Sequence, residues 1–432
     1  MEALLGLVLL LVFMGIGIPI AWSFAGVLAF LTFSYDTGLN TLMMQGFRSI
    51  NSVVLIALPL FVLTGYLMQS GGIARRLVEF IETLMGHKRG GMGTSMILAS
   101  GIFGAIAGTS TAAVASIGKI MIPPLEQKGY PRGYSSALLG ISSLLGILIP
   151  PSIIMILFAV VTRQSVAALF AASIGPALLL IGFLILLNRF FSNTWFKEIN
   201  DETRKAIAAN NSKSKASLKA APALSLPVII LGGIYGGIFT PTEAAAVAAC
   251  AAIFIGFFIY KDLTMRSFGR SIVDASETTG SIMMILLFSF MIGRILSAEK
   301  IPQELTESIS NLITDPIQIL IVINIFLIIA GAILDDVSVT VVIAPLFLPL
   351  MVSSGIDPIH YGSIVACSVV IGANSPPVAP ILYMACRIGD VSIHKAVVPA
   401  LAFIAFAGIP VMLITTFVPE LSLFIPRLLG LI

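Results

Sequence analysis

The chain has 432 residues, of which 58% are hydrophobic and 10% charged, and a mean hydropathy of +1.05; a soluble domain carries charge at roughly a quarter of its positions, so this composition belongs in a bilayer. The formal net charge of +3, with basic residues in short loops, reports orientation in the membrane and gives no support for nucleic-acid binding. Cys250, Cys367 and Cys386 lack CxxC spacing, which argues against a disulfide framework or zinc site and for buried free thiols.

In chain order, the stretch 1–18 has the length of a signal peptide but neither a basic start nor a small-residue cleavage site, so it reads as a retained span. Two closely joined spans, 3–18 and 20–34, are followed by a third at 52–70 and an amphipathic segment at 71–86 suited to the membrane interface. The run 95–125 would be about 46 Å long as one straight helix at ~1.5 Å per residue, too long for one span and too short for two. Its middle, Gly108-Thr109-Ser110-Thr111, suits a turn, and a re-entrant hairpin is tolerated where protein or water surrounds its tip. A span broken by Pro150-Pro151 occupies 134–160, and one further span ends this half.

The same series then recurs: 220–239 and 242–260, 277–297, an amphipathic segment at 301–314, a hairpin at 317–350 and a broken span at 360–386. Pro123 and Pro349, Gly129 and Gly355, Gly146 and Gly372, and Pro150-Pro151 and Pro376-Pro377 all keep one offset, the mark of an internal repeat. The expected fold is an all-α polytopic membrane protein of two repeats, 1–218 and 219–432, each with about five spans and one re-entrant hairpin. Five crossings per repeat invert the second relative to the first. Most basic residues, among them Arg75, Arg76, Lys88, Arg89, Lys128, Arg132, Lys197, Arg204, Lys205, Lys261, Arg266, Arg270 and Arg387, then share one side, whereas Arg48, Arg163 and Lys300 face the other. The positive-inside rule makes the first side cytoplasmic and puts both termini in the periplasm of a bacterial inner membrane.

Proline at a break removes a donor and leaves the preceding carbonyls without helical partners. In repeat-built transporters such carbonyls coordinate Na⁺ while half-helix N-termini face anionic substrate groups. Gly146 and Ile149 before the first proline pair, and Gly372, Asn374 and Ser375 before the second, are therefore expected at Na⁺ sites, with Gly108 and Ser110 from the facing tip. Asp335 and Asp336 are adjacent carboxylates inside an apolar segment, and an intramembrane carboxylate is costly enough to mark function. Asp335 is expected at both the ion and the substrate site, with Thr109, Ser110 and Ser152 contributing hydroxyls to the substrate. Their alternative role is to cap the helices that follow. Thr240-Pro241-Thr242-Glu243 has the form of a capping box, which assigns Glu243 to structure. His87, His360 and His394 lie in loops or at span ends and support no proton relay or metal site, and Arg294, at a span end, reads as a snorkelling residue. No Gly-rich phosphate loop, HExxH or GxSxG motif occurs, so an enzyme is not indicated.

Gly-Thr-Ser-Thr-Ala at 108–112, Met121-Ile122-Pro123, Gly129-Tyr130, Ile149-Pro150-Pro151-Ser152, Pro241-Thr242-Glu243-Ala244, Leu334-Asp335, the run from Gly355 to Gly362 and Ser375-Pro376-Pro377 together resemble the large membrane subunit of tripartite ATP-independent periplasmic (TRAP) transporters over nearly the whole chain. The resemblance implies an elevator-type carrier with a mobile transport domain and a scaffold. It would be driven by two or more Na⁺ ions and would work with a small four-helix membrane subunit and a soluble periplasmic substrate-binding protein. Substrates in that family are mostly carboxylates, such as C4-dicarboxylates and sialic acid. Asp336 is an extra acidic residue relative to the family pattern, Ser375 stands where Thr is more common, and Ala379 where Gly often follows the prolines. Rival readings are a carrier of the same architecture that works alone (a Na⁺/dicarboxylate symporter or a Na⁺/H⁺ antiporter), an ion channel, and an intramembrane hydrolase. A channel would need a continuous polar pore, and a hydrolase a nucleophile with a paired base.

Overall fold

The computed structural model describes residues 2–85, 90–194, 213–313, 315–376 and 378–432. His87, Lys88, Arg89, Lys197, Arg204, Lys205 and Pro377 lie outside them. Among the described residues every regular element is helical. Eight helices are long and apolar enough to cross a membrane, and Arg132–Leu148 with Ile153–Thr162, bent by 43°, makes a ninth. The chain is a polytopic membrane protein.

The order of elements in the first half recurs in the second. Glu2–Gly15 and Ile20–Ser34 correspond to Lys213–Tyr235 and Pro241–Phe254, and Ile73–Met85 to Ile301–Leu312. Gly91–Ala107 and Ser110–Gln127 correspond to Pro316–Ile333 and the segment that runs from Asp336 to Ser353. The boundary expected after residue 218 falls inside the helix Lys213–Tyr235. The hairpin arms are 17 and 18 residues long and run from Gly91 to Gln127, a few residues past each end of the expected 95–125.

One correspondence is broken. In the first half a short helix, Leu39–Ile50, stops at Asn51-Ser52 before the third span, Val53–Ser70. The second half has a single 34-residue helix, Met265–Ala298, so the span expected at 277–297 begins twelve positions earlier. Nothing between Met265 and Ala298 is a proline, and the Thr264–Ser267 capping box starts the helix. At ~1.5 Å per residue it is about 51 Å long, well beyond about 30 Å of hydrocarbon, which puts Arg266 and Arg270 outside the apolar layer.

The helices form two packed groups. In one, Met265–Ala298 packs against Ile20–Ser34, Leu39–Ile50 and Ala57–Ser70, and Pro241–Phe254 against Ala57–Ser70. Ser70 Oγ and Ser271 Oγ lie 2.8 Å apart, and Tyr66 Oη and Thr278 Oγ1 2.9 Å apart. Such bonds inside a membrane average roughly 0.6 kcal/mol, so close helix contact contributes more to holding this group together. In the other group the hairpins, the broken spans, Val166–Thr194 and the last span, Ile393–Phe417, pack together. The arm Ile73–Met85 touches both groups, lying on Lys213–Tyr235 and on Gly91–Ala107. Ile73, Leu77, Val78 and Ile81 are buried, the periodicity of a one-faced helix. Arg76 pairs with Asp262 and lies 4.0 Å above the Tyr260 ring, while Glu82 is 3.9 Å from Lys128 at the end of the hairpin. The arm is thus tied at one end to each group.

Candidate functional site

The two arms of the first hairpin meet at Gly108, whose φ of +67° is a left-handed turn that glycine adopts without steric cost. Thr109 Oγ1 accepts from Ala112 N at 3.3 Å and caps the outgoing arm. The tip lies directly on the broken span: Ile153 N donates to Gly108 O at 3.2 Å, and a Cβ on Gly146 would lie 2.9 Å from Thr109 O. A Cβ on Gly104 would stand 2.5 Å from the Gly146 Cα. Small residues let backbones approach in this way where no hydrophobic force drives helices together.

That contact recurs in the second half. A Cβ on Gly372 would meet Gly331 C at 2.5 Å, so the second hairpin crosses its broken span at the residue that corresponds to Gly146, through a glycine one position along from the counterpart of Gly104. Each hairpin also meets the other half. Ser110–Gln127 packs on Pro380–Ile388, and the Asp336–Ile343 turn packs on Ile153–Thr162. The breaks and tips of both halves therefore interlock in one bundle.

At the first break two carbonyls lose their helical donors. Helical partners for the carbonyls of Gly146 and Ile147 would be residues 150 and 151, both proline, which have no N–H. Ile149 and Ser152 are extended, and Ser152 Oγ accepts from Met155 N at 3.3 Å. In the second break, Ser375 N donates to Gly372 O at 2.9 Å, and Ser375 Oγ to Ile371 O at 2.8 Å. Asn374 is 1% exposed, and among the described residues neither its Oδ1 nor its Nδ2 has a hydrogen-bond partner. A buried amide left unpaired costs about 1–3 kcal/mol per group. Its oxygen faces Gly140 of the first broken span, where a Cβ would lie 3.0 Å away. Ser142 on that span also has a buried hydroxyl without a partner among the described residues; sequence patterning carries no sign of it, because serine within a helix ordinarily bonds back to its own carbonyls. Neutral oxygens around an unsatisfied amide suit a hard monovalent cation.

Asp335 sits where the second hairpin turns. Its carboxylate accepts from Ser338 Oγ, and its carbonyl from Val339 N at 3.1 Å. Asp336 accepts from Val337 N at 3.1 Å. Asp335 stands at the start of the outgoing arm without a side-chain capping bond to its backbone. Ala379, after the second proline pair, has φ +45°, a conformation that costs a residue with a Cβ about 1–2 kcal/mol and explains why glycine suits the position.

Ser110 is buried at 1% exposure at the start of its arm. Glu243 closes a capping box: Thr240 N donates to its Oε2 at 2.8 Å, and Glu243 N to Thr240 Oγ1 at 3.3 Å. His360 lies at a span end, as expected. It lies buried in the first helical turn after Asp357, with Nδ1 2.7 Å from Ser422 Oγ. Cys250 is exposed, and only Cys367 and Cys386 are buried, a correction to three buried thiols; a cysteine on an outer helix face has no burial to protect it. Arg294 lines a cavity with Arg48 and Arg163, a convergence of three separate elements that no local pattern reveals. No cluster of three or more His, Cys, Asp or Glu side chains able to hold a metal occurs among the described residues.

The family model described as "Tripartite ATP-independent periplasmic transporter, DctM component" matches residues 7–421. The chain is 34% identical to the C4-dicarboxylate TRAP transporter large permease protein DctM of Rhodobacter capsulatus over the full length of both. It is 32% identical to the sialic acid TRAP transporter large permease protein SiaM of Vibrio cholerae, over 95% of each chain. It is also 33% identical to the isethionate TRAP transporter permease protein DctMQ of Oleidesulfovibrio alaskensis, over 95% of this chain and 64% of that protein. The YdaH transporter of Alcanivorax borkumensis has a similar fold, with a TM-score of 0.65 at 12% identity, covering 89% of each chain.

Proposed function

Given that the chain belongs to the DctM family of TRAP transporter large permeases, we propose that it carries a small organic anion into the cell in symport with Na⁺, at a site built from the two hairpin tips and the two broken spans. The observation that carries this reading is the buried Asn374 amide without partners, beside a break whose prolines deprive carbonyls of donors in each half. Two or more Na⁺ ions would be held by oxygens of Gly108, Ser110, Gly146 and Ile149 in one half and of Asp335, Gly372, Asn374 and Ser375 in the other. Thr109 and Ser152, which cap half-helices by accepting, keep a hydroxyl proton to donate to a carboxylate. The two inverted repeats bring a half-helix N-terminus to the substrate from either side, where the partial positive charge favours an anion.

The group containing hairpins and broken spans is the transport domain of an elevator, and the group around Met265–Ala298 is its scaffold. The arms Ile73–Met85 and Ile301–Leu312 hinge one on the other. Solute reaches the chain on a periplasmic binding protein, and a small four-helix membrane subunit widens the scaffold. The isethionate relative, named DctMQ and longer than this chain, is consistent with such a second membrane component. The basic loops face the cytoplasm of the inner membrane, both termini the periplasm. Named relatives take C4-dicarboxylates, sialic acid and isethionate; what these share is an oxyanion, and this chain's substrate belongs to that class.

Uptake into proteoliposomes holding the chain with its partner subunit tests the coupling. Accumulation should follow an imposed Na⁺ gradient when the loaded binding protein is outside. Equal accumulation in K⁺ with a proton gradient alone would exclude Na⁺ symport, and accumulation without any partner would favour a carrier that works alone.

A further inference from the structure

Apart from the hairpin site, one cavity of about 650 Å³ lies between the two helical groups, within the roughly 300–1,000 Å³ usual for small-molecule sites. Gln45, Arg48 and Ser49 on Leu39–Ile50 and Arg294 and Ser297 on Met265–Ala298 form one wall, and Arg163 at the end of Ile153–Thr162 stands on the other. Val341 and Pro345 of the second hairpin close it. No acidic residue lines it, and none of the three arginines makes an ion pair or a side-chain hydrogen bond among the described residues. Arg75, Arg76, Arg132 and Arg427, by contrast, all have carboxylate partners. Arg163 also holds a left-handed backbone, φ +58°, at a helix end where glycine is the ordinary choice. On the charge reading, Arg48 and Arg163 are two of the few basic residues facing away from the cytoplasm, a side that the positive-inside rule depletes of them.

We propose that this three-arginine cleft is a second anion site, which captures a small carboxylate or sulfonate on its way to the hairpin site. Guanidinium forks bind planar oxyanions in two-pronged fashion, and Gln45, Ser49 and Ser297 add neutral partners. Val341 connects the cleft to the hairpin that carries Asp335. The proposal rests on the transport reading above for the identity of the anion, not for the existence of the site.

The test is arginine labelling by phenylglyoxal, read residue by residue by mass spectrometry on the full chain in nanodiscs. Succinate, isethionate or N-acetylneuraminate is added at low ionic strength, with chloride as the matched control. At least one of the three should slow labelling of Arg48, Arg163 and Arg294 several-fold, leave Arg75 unchanged, and lose its effect as salt is raised. Protection should persist in Asp335→Asn, because the cleft is separate from the hairpin tip. Protection that disappears in Asp335→Asn assigns the anion to the hairpin site and overturns the proposal. Equal labelling with all three anions, in protein that still accumulates solute, overturns the cleft and leaves the transport reading standing. Protection only by a solute-free binding protein also overturns it, in favour of protein docking.

Discussion

The two hairpin-and-break units share a backbone design but differ in chemistry. In both, a pair of glycines lets the incoming arm cross its broken span, Gly104 on Gly146 and Gly331 on Gly372. The first unit turns on a neutral Gly108-Thr109 tip whose carbonyl is bonded to Ile153 N. The second turns on Asp335-Asp336, places Ala379 in a left-handed conformation and leaves the Asn374 amide unpaired. A shared frame with unlike polar contents is what a transporter needs if it binds the same kind of ion twice but one substrate once. Both units leave buried polar groups without protein partners among the described residues, Ser142 in the first and Asn374 in the second; only the second adds carboxylates, Asp335 and Asp336.

The largest test of that difference is Asp335→Asn. Asp335 is half-buried, and taking away the charge that would pair with a bound cation costs about 3 kcal/mol, roughly two decades in affinity, so uptake should fall by about 100-fold with membrane insertion unchanged. Normal uptake would reduce the carboxylate to an acceptor for the Ser338 hydroxyl. Next in size are the glycine crossings. Gly146→Ala and Gly372→Ala each force a Cβ against backbone, and overpacking of that kind costs about 1–3 kcal/mol. Thermal unfolding midpoints should drop in both, while Gly182→Ala, with no heavy atom near its would-be Cβ, should leave the midpoint in place. Equal behaviour of all three would deny that the crossings are close.

Ser110→Ala and Ser375→Ala should raise the Na⁺ concentration for half-maximal uptake by roughly fivefold, the equivalent of about 1 kcal/mol for one lost oxygen ligand. Unchanged Na⁺ dependence in both would return the hydroxyls to helix capping. The smallest effect is expected at Glu243→Gln, which weakens one capping box worth about 1 kcal/mol and should retain most uptake; loss of uptake there would show that a helix cap had been mistaken for a site.

How much of this is legible in the sequence depends on the range of the forces involved. Proline pairs, the Gly108 turn and the Thr240–Glu243 box act over a few residues, so hairpins, breaks and cap can all be read directly. The short helix Leu39–Ile50 has no such signal because it is too short and too polar to span, and the continuous helix Met265–Ala298 is hidden because the repeat suggests a break that its residues do not impose. Arg294 looks like a snorkelling residue on its own span, and only folding brings Arg48 and Arg163 to the same cavity. The burial of His360 against Ser422 likewise depends on the last helix, Glu420–Leu428, returning to the start of the second broken span.

The central claim is that the breaks hold Na⁺, and the thermal midpoint of the full chain in nanodiscs measures it most directly. A ligand bound only by the folded state stabilises it by about 2.7 kcal/mol at a hundredfold its Kd. The midpoint should therefore rise with NaCl relative to choline chloride at equal ionic strength, and rise less in Asn374→Leu. Identical midpoints in the two salts for the wild-type chain would contradict Na⁺ binding at the breaks.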